Sequence, residues 1–97
     1  MTVTPLPIVF SAMWCGYCLR LKSELDRAGV TYRVIDIDQD PSVLPRLAEQ
    51  NNGEWIIPTV EFWDGTMLVN PSAVAVTDKL RDLQRARSKH VEASSHE

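Results

Sequence analysis

Apolar and polar positions follow two different rhythms along the chain. Pro7-Ile8-Val9-Phe10 is a short apolar, β-branched run of the kind a buried strand carries. Ser11 to Trp14 leaves that strand, and Cys15-Gly16-Tyr17-Cys18 then opens a helical pattern. Leu21, Leu25 and Ala28 recur at i, i+4 and i+7, while Arg20, Lys22, Glu24 and Arg27 fill the wet faces. Gly29 is placed to stop the helix. From Tyr32 to Ile37 the rhythm becomes alternation, with Tyr32, Val34 and Asp36 set against Arg33, Ile35 and Ile37, a second strand buried mainly on one face.

Asp40-Pro41 pairs an N-cap residue with a proline at the first helical position. The helix it starts carries Val43, Leu44 and Leu47 and fades at Asn51-Asn52-Gly53. Residues 59–63 and 67–69 flank Asp64-Gly65, a strong hairpin signal. Asn70-Pro71-Ser72 repeats the cap-plus-proline device, and Ala73, Val76, Leu80 and Leu83 give a last helix its buried stripe. The apolar periodicity ends near Arg87, so one domain is expected over residues 1–87 and a flexible tail over 88–97. The order β-α-β-α-β-β-α joins a parallel βαβ unit to an antiparallel hairpin. A four-stranded mixed sheet with helices on both faces, the plan of the thioredoxin fold, is one of several small α/β arrangements that fit.

Composition narrows the function classes. At 97 residues, 44% hydrophobic and 24% charged, the chain has enough apolar material for a core without staples. A net charge of −3 offers nucleic acid no clustered basic surface. No apolar run approaches the roughly 20 residues of a membrane-spanning helix. Met1 to Pro7 lacks the basic and apolar regions of a signal peptide, which favours the cytoplasm.

Only two cysteines are present, three positions apart. A structural disulfide there would close a very short loop and constrain the unfolded chain little. A C-x-x-C between a strand and a helix, within a βαβ unit, instead signals redox chemistry. At the helix start, Cys15 would face unpaired N–H groups and the positive end of the helix dipole, both of which favour a thiolate. Cys18, almost one turn later, is expected to be less exposed and close enough to attack a disulfide formed at Cys15. Lowering a thiol pKa from about 8.5 by two units raises the thiolate population at pH 7 roughly 25-fold. The accompanying fall in nucleophilicity removes roughly 6- to 10-fold, so the larger benefit comes when Cys15 leaves. Zinc would need four ligands, and only His90 and His96 remain, both in the expected tail, so no metal site is expected. Two inert core cysteines, or an iron–sulfur cluster shared between two chains, are the other readings.

Ile57-Pro58-Thr59 stands just before the third strand. Proline cannot donate within a ladder, so Pro58 belongs at the strand start. Either it does no more than that, or a cis Ile57–Pro58 bond presents backbone groups beside Cys15. Taken together, Trp14-Cys15-Gly16-Tyr17-Cys18-Leu19-Arg20-Leu21-Lys22, Ile57-Pro58-Thr59-Val60, Asp64-Gly65 and Asn70-Pro71-Ser72 resemble the mycoredoxins. These are glutaredoxin-like proteins of actinobacteria that use mycothiol rather than glutathione. The resemblance covers roughly residues 8–83, and it implies a thioredoxin fold, a cis Pro58 and reduction of protein–mycothiol mixed disulfides. It makes Cys15 the nucleophile and Cys18 the resolving thiol. It sets Trp14, Tyr17, Thr59 and the Ile57–Pro58 backbone along the thiol's groove. Asn70 and Ser72 would stand where glutathione-dependent relatives hold the tripeptide with a Gly-Gly pair. That difference, and the absence of a lysine just before Trp14, argue against glutathione.

The resemblance also implies a monomer with no bound cofactor and mycothiol as co-substrate. Its partners would be mycothiolated proteins and, indirectly, an NADPH-dependent mycothiol reductase. Two other functions compete. One is a redoxin driven by thioredoxin reductase that supplies electrons to ribonucleotide reductase, although no aromatic-containing motif of that group stands between Val69 and Leu83. The other is a non-catalytic adaptor or metal-binding module. Trp55 and Trp63 match nothing in the resemblance and read as packing or surface residues.

Overall fold

The apolar run at Ile8 becomes the centre of a sheet. In the computed structural model, which describes residues 5–95 with side chains as far as Arg87, β1 (Ile8–Ser11) pairs in parallel with β2 (Arg33–Asp36). On its other side β1 pairs antiparallel with β3 (Thr59–Glu61), and β3 with β4 (Met67–Val69), giving the order β2-β1-β3-β4. Alternation along β1 divides the core. Phe10 faces Cys15, Cys18, Ile37, Val43 and Leu47 on one side, and Val9 faces Leu21, Leu25, Val60, Phe62 and Val76 on the other. Helices α1 (Gly16–Arg27) and α3 (Ala73–Ser95) cover the Val9 face, while the short α2 (Leu44–Glu49) covers the Phe10 face. Helices therefore lie on both faces, as the thioredoxin fold requires.

Helix α1 ends as its sequence directs. Gly29 adopts φ +74, Val30 N–H donates to the Leu25 carbonyl at 3.0 Å and Gly29 N–H to that of Asp26 at 3.1 Å. This is a Schellman closure, and Val30 packs in the same cluster as Leu25. The buried stripe differs from the expected one. It runs Cys18, Leu21, Leu25, and Ala28 is exposed, because the helix has already closed there.

Three boundaries differ from the sequence expectation. The second helix is split into a 3-10 turn (Pro41–Val43) and α2, because Pro45 has no N–H to give to the Pro41 carbonyl. Leu44 N–H takes that carbonyl instead. The cap of α3 is Ser72 and not Asn70: Ser72 Oγ accepts from Ala75 N–H at 3.1 Å. Asn70 spends its tolerance of positive φ (+48) on the turn out of β4. Finally, the α3 backbone helix runs to Ser95, past the end of the apolar stripe at Arg87. The side chains of the expected tail at 88–97, and all of residues 96 and 97, lie outside the described residues.

The Asp64-Gly65 turn closes the hairpin and also fastens it to α3. Asp64 accepts from Thr66 N–H at 3.0 Å and from Lys79 Nζ at 3.0 Å. The Thr66 N–H first, then Lys79, hold its carboxyl down at about 2, below the ordinary 3.8. A depressed carboxylate contributes stability that is complete above its unfolded pKa and is lost as pH falls through the folded one. The expected result is that Asp64→Asn lowers Tm at neutral pH. The gap from the parent should then close between about pH 4 and pH 2, as followed by thermal melts across that window.

Candidate active site

The chain leaves β1 at Ser11 and turns back at once, with Cys15 N–H donating to the Ala12 carbonyl at 3.2 Å. Cys15 is thereby the N-cap of α1, with extended backbone (φ −90, ψ 107), and its carbonyl accepts the first helical bond, from Leu19 N–H, at 3.1 Å. The Cys18 N–H donates to Cys15 Sγ at 3.2 Å. A sulfur thus occupies the place where serine or aspartate oxygens usually cap a helix, at the positive end of its dipole.

The two thiols are free and unequal. Cys15 keeps 6% of its surface and Cys18 none. Burial first, and then the hydrogen bond with the Cys15 side chain, push the Cys18 thiol up to about 11. Cys18 is accordingly a neutral thiol at physiological pH. The greater burial of Cys18 agrees with the sequence reading, but Cys15 is less open than that reading expects. The capping geometry draws its sulfur over the first turn, and Cys15 packs in the Phe10 cluster while its near neighbours Trp14 and Tyr17 are exposed.

Sheet register brings the proline opposite. Phe10 faces Thr59 across the antiparallel pair, so the residues before β3 lie at the same end of the sheet as the turn after β1. The Ile57–Pro58 bond is cis, Pro58 is buried, and Ile57 packs against the cluster that holds both cysteines. The Pro58 carbonyl accepts from Asn70 N–H at 2.7 Å, which ties the proline turn to the start of the α3 connection. Thr59 lies inside: it is 2% exposed and its hydroxyl donates to the Ile56 carbonyl at 2.7 Å, so its side chain is not on offer to a ligand.

The remaining residues separate into two flanks. Toward the β4 edge, Tyr17, Asn70 and Ser72 line a groove of about 250 Å³ with Arg20 and Glu24, which pair at 3.0 Å. Toward the β2 edge, the exposed Trp14 donates its indole N–H to Asp38 Oδ2 at 2.8 Å. Sequence reasoning missed Asp38, and it saw Arg20 and Glu24 only as a wet helix face. Their spacing of four was a signal for the pair, whereas nothing local links Trp14 to a carboxylate beyond β2. Trp63 lines a separate groove of about 630 Å³ with Val30 and Leu80, while Trp55 is exposed. Among the described residues no cluster of three His, Cys, Asp or Glu side chains is placed to hold a metal, and no helix is long and apolar enough to cross a membrane.

A thiol capping a helix, a second and more buried thiol in the first turn and a cis-proline across the sheet are an arrangement suited to thiol–disulfide exchange on a thioredoxin fold. Comparison with known proteins agrees. The glutaredoxin family model matches residues 8–65, and the chain belongs to the glutaredoxin family of disulfide oxidoreductases. Within that family it is mycoredoxin-like. It is 39% identical to Mycoredoxin 1 of Corynebacterium glutamicum over 77% of this chain and 92% of that protein. It is 38% identical to a Mycobacterium tuberculosis protein that carries the glutaredoxin name, over 80% of this chain and 93% of that one. Among solved structures, the buckwheat glutaredoxin–glutathione complex superposes with a TM-score of 0.59 at 31% identity, covering 80% of this chain and 70% of the other.

Proposed function

We propose that this chain reduces mixed disulfides between proteins and mycothiol, with Cys15 as the nucleophile. The observation that carries the reading is the asymmetry of the pair: Cys15 Sγ is a hydrogen-bond acceptor at a helix start, while Cys18 is buried and neutral. The Cys15 thiolate attacks the mycothiol sulfur of the mixed disulfide. The protein thiol leaves reduced, and Cys15 becomes mycothiolated. A second mycothiol thiolate then attacks that adduct, releasing Cys15 and forming mycothiol disulfide, which an NADPH-dependent reductase returns to the thiol. In the alternative two-cysteine route, Cys18 displaces mycothiol and leaves a Cys15–Cys18 disulfide.

Mycothiol is the co-substrate favoured here because the named relative at 39% identity is a mycoredoxin. Tyr17, Asn70 and Ser72 on one flank and Trp14 on the other are the groups proposed to hold it, with the Ile57–Pro58 backbone between them. The cycle begins from a reduced Cys15 and is driven by a reduced low-molecular-weight thiol, so the proposed compartment is the cytoplasm, and the proposed working form is a monomer.

The buckwheat protein in complex with glutathione makes glutathione the competitor to test. NADPH oxidation is followed with mycothiol and its reductase, and in parallel with glutathione and glutathione reductase, on the matching mixed disulfides of one model protein. The mycothiol arm is expected to run at least roughly tenfold faster, which corresponds to about 1.4 kcal/mol of discrimination. Equal or faster turnover with glutathione would refute the mycothiol assignment. Turnover only with thioredoxin reductase would replace it with the redoxin reading.

A further inference from the structure

The indole of Trp14 stands one residue before the nucleophile and is 63% exposed, yet its one polar atom is not left to water. Its N–H donates to Asp38 Oδ2 at 2.8 Å. Both partners sit on hydrogen-bonded turns. Trp14 lies inside the turn closed by Cys15 N–H on the Ala12 carbonyl at 3.2 Å. Asp38 follows the parallel pairing of Ser11 with Asp36, which Ile37 N–H extends to the Ser11 carbonyl at 2.9 Å. The chain then bends sharply: Asp36 Oδ1 accepts from Asp38 N–H at 2.8 Å, and the Asp36 carbonyl accepts from Asp40 N–H at 2.9 Å. With both backbones fixed, the bond sets the direction of the ring. Ile37, next to Asp38, packs in the cluster that holds Cys15, so this turn belongs to the nucleophile's surroundings.

Stability does not account for the bond. Two exposed side chains gain little net free energy by pairing, because water can serve either partner when they separate. What the pairing changes is freedom: an unpaired surface indole samples several rotamers, and a ligand that uses its face must select one. We propose that Asp38 is a positioning residue, which holds the Trp14 ring ready for the small-thiol portion of a mixed disulfide at Cys15. This rests on the proposed reading in which Trp14 flanks that thiol. Asp38 takes no part in the sulfur exchange and acts only through Trp14. Its contribution is the same in the bound substrate and in the transition state, so it belongs in KM and leaves kcat alone.

The test follows turnover of the mixed disulfide of a model peptide, run with mycothiol or glutathione and the matching reductase, whichever the parent uses. Asp38→Ala is expected to raise KM about threefold to tenfold, the weight of ordering one side chain, with kcat within about twofold. Asp38→Asn keeps an oxygen that can accept from the indole and should stay within about twofold of the parent KM. In a Trp14→Phe background, which has no N–H to hold, Asp38→Ala should add nothing further. Indole N–H signals in heteronuclear NMR report the bond itself. The signal lost in Trp14→Phe should move upfield in Asp38→Ala and exchange faster with water. An unmoved signal, an unmoved KM, an equal loss in Asp38→Asn or a further rise in the Trp14→Phe background would each overturn the proposal and leave the reading of the site standing. A parent that turns over neither mixed disulfide would sink that reading, and the proposal with it.

Discussion

Cys15→Ser is expected to abolish reduction of mixed disulfides, while Cys18→Ser keeps activity on low-molecular-weight mixed disulfides within a factor of about ten. The difference follows from what each sulfur does. Disulfide exchange requires a sulfur to form the new bond, and a serine hydroxyl at position 15 would remain un-ionised and bond to nothing. The Cys18 thiol, held up at about 11 by burial and by its neighbour, contributes little thiolate near neutrality and is bypassed when a second thiol frees Cys15. Steady-state rates of the two variants, with folding checked by circular dichroism, provide the measurement. A dead Cys18→Ser variant would mean that the chain works only through the intramolecular disulfide. An active Cys15→Ser variant would remove the nucleophile assignment altogether.

The second large effect is on stability. Phe10 is fully buried in the strand that joins the parallel and antiparallel halves of the sheet. Its ring packs with Cys15, Cys18, Ile37 and Leu47, and the Arg46 guanidinium stands 5.8 Å from the ring centre. Phe10→Ala removes that contact area and leaves a cavity that the surrounding β-strands cannot collapse to fill, a loss of about 3–5 kcal/mol. A domain of this size holds only about 5–15 kcal/mol, so urea unfolding should show the midpoint falling by about a fifth or more of its value. The cavity opens beneath the cysteines, so thiol reactivity in the variant should also become less selective between Cys15 and Cys18. A midpoint shift equivalent to less than about 1 kcal/mol would show that the cluster repacks freely.

Local pattern made most of the fold legible. The strand at Ile8, the helix from Gly16 to its glycine stop and the Asp64-Gly65 hairpin each depend on residues close in sequence, and each stands where the pattern puts it. Where two residues compete for one role, sequence decides poorly. Asn70 and Ser72 are both good caps, and the choice falls on Ser72 because the chain needs a left-handed residue for Asn70 N–H to reach the Pro58 carbonyl. Pro45 is visible in the sequence, but its effect depends on which carbonyl it leaves unpaired. The site divides in the same way. The cysteine pair and Pro58 are local motifs, whereas the Trp14–Asp38 bond exists only because β1 and β2 lie side by side. The near-closure of Cys15 is a property of the assembled Phe10 cluster and has no signature in the C-x-x-C itself.

Exchange between sulfurs proceeds with attacking, central and departing atoms nearly in line. A nucleophile with only 6% of its surface open admits that alignment from few directions. On the proposed mechanism clients are thereby sorted by shape before chemistry begins: a disulfide on a pendant small thiol or a flexible terminus can swing into the required axis, and one recessed in a rigid globule cannot.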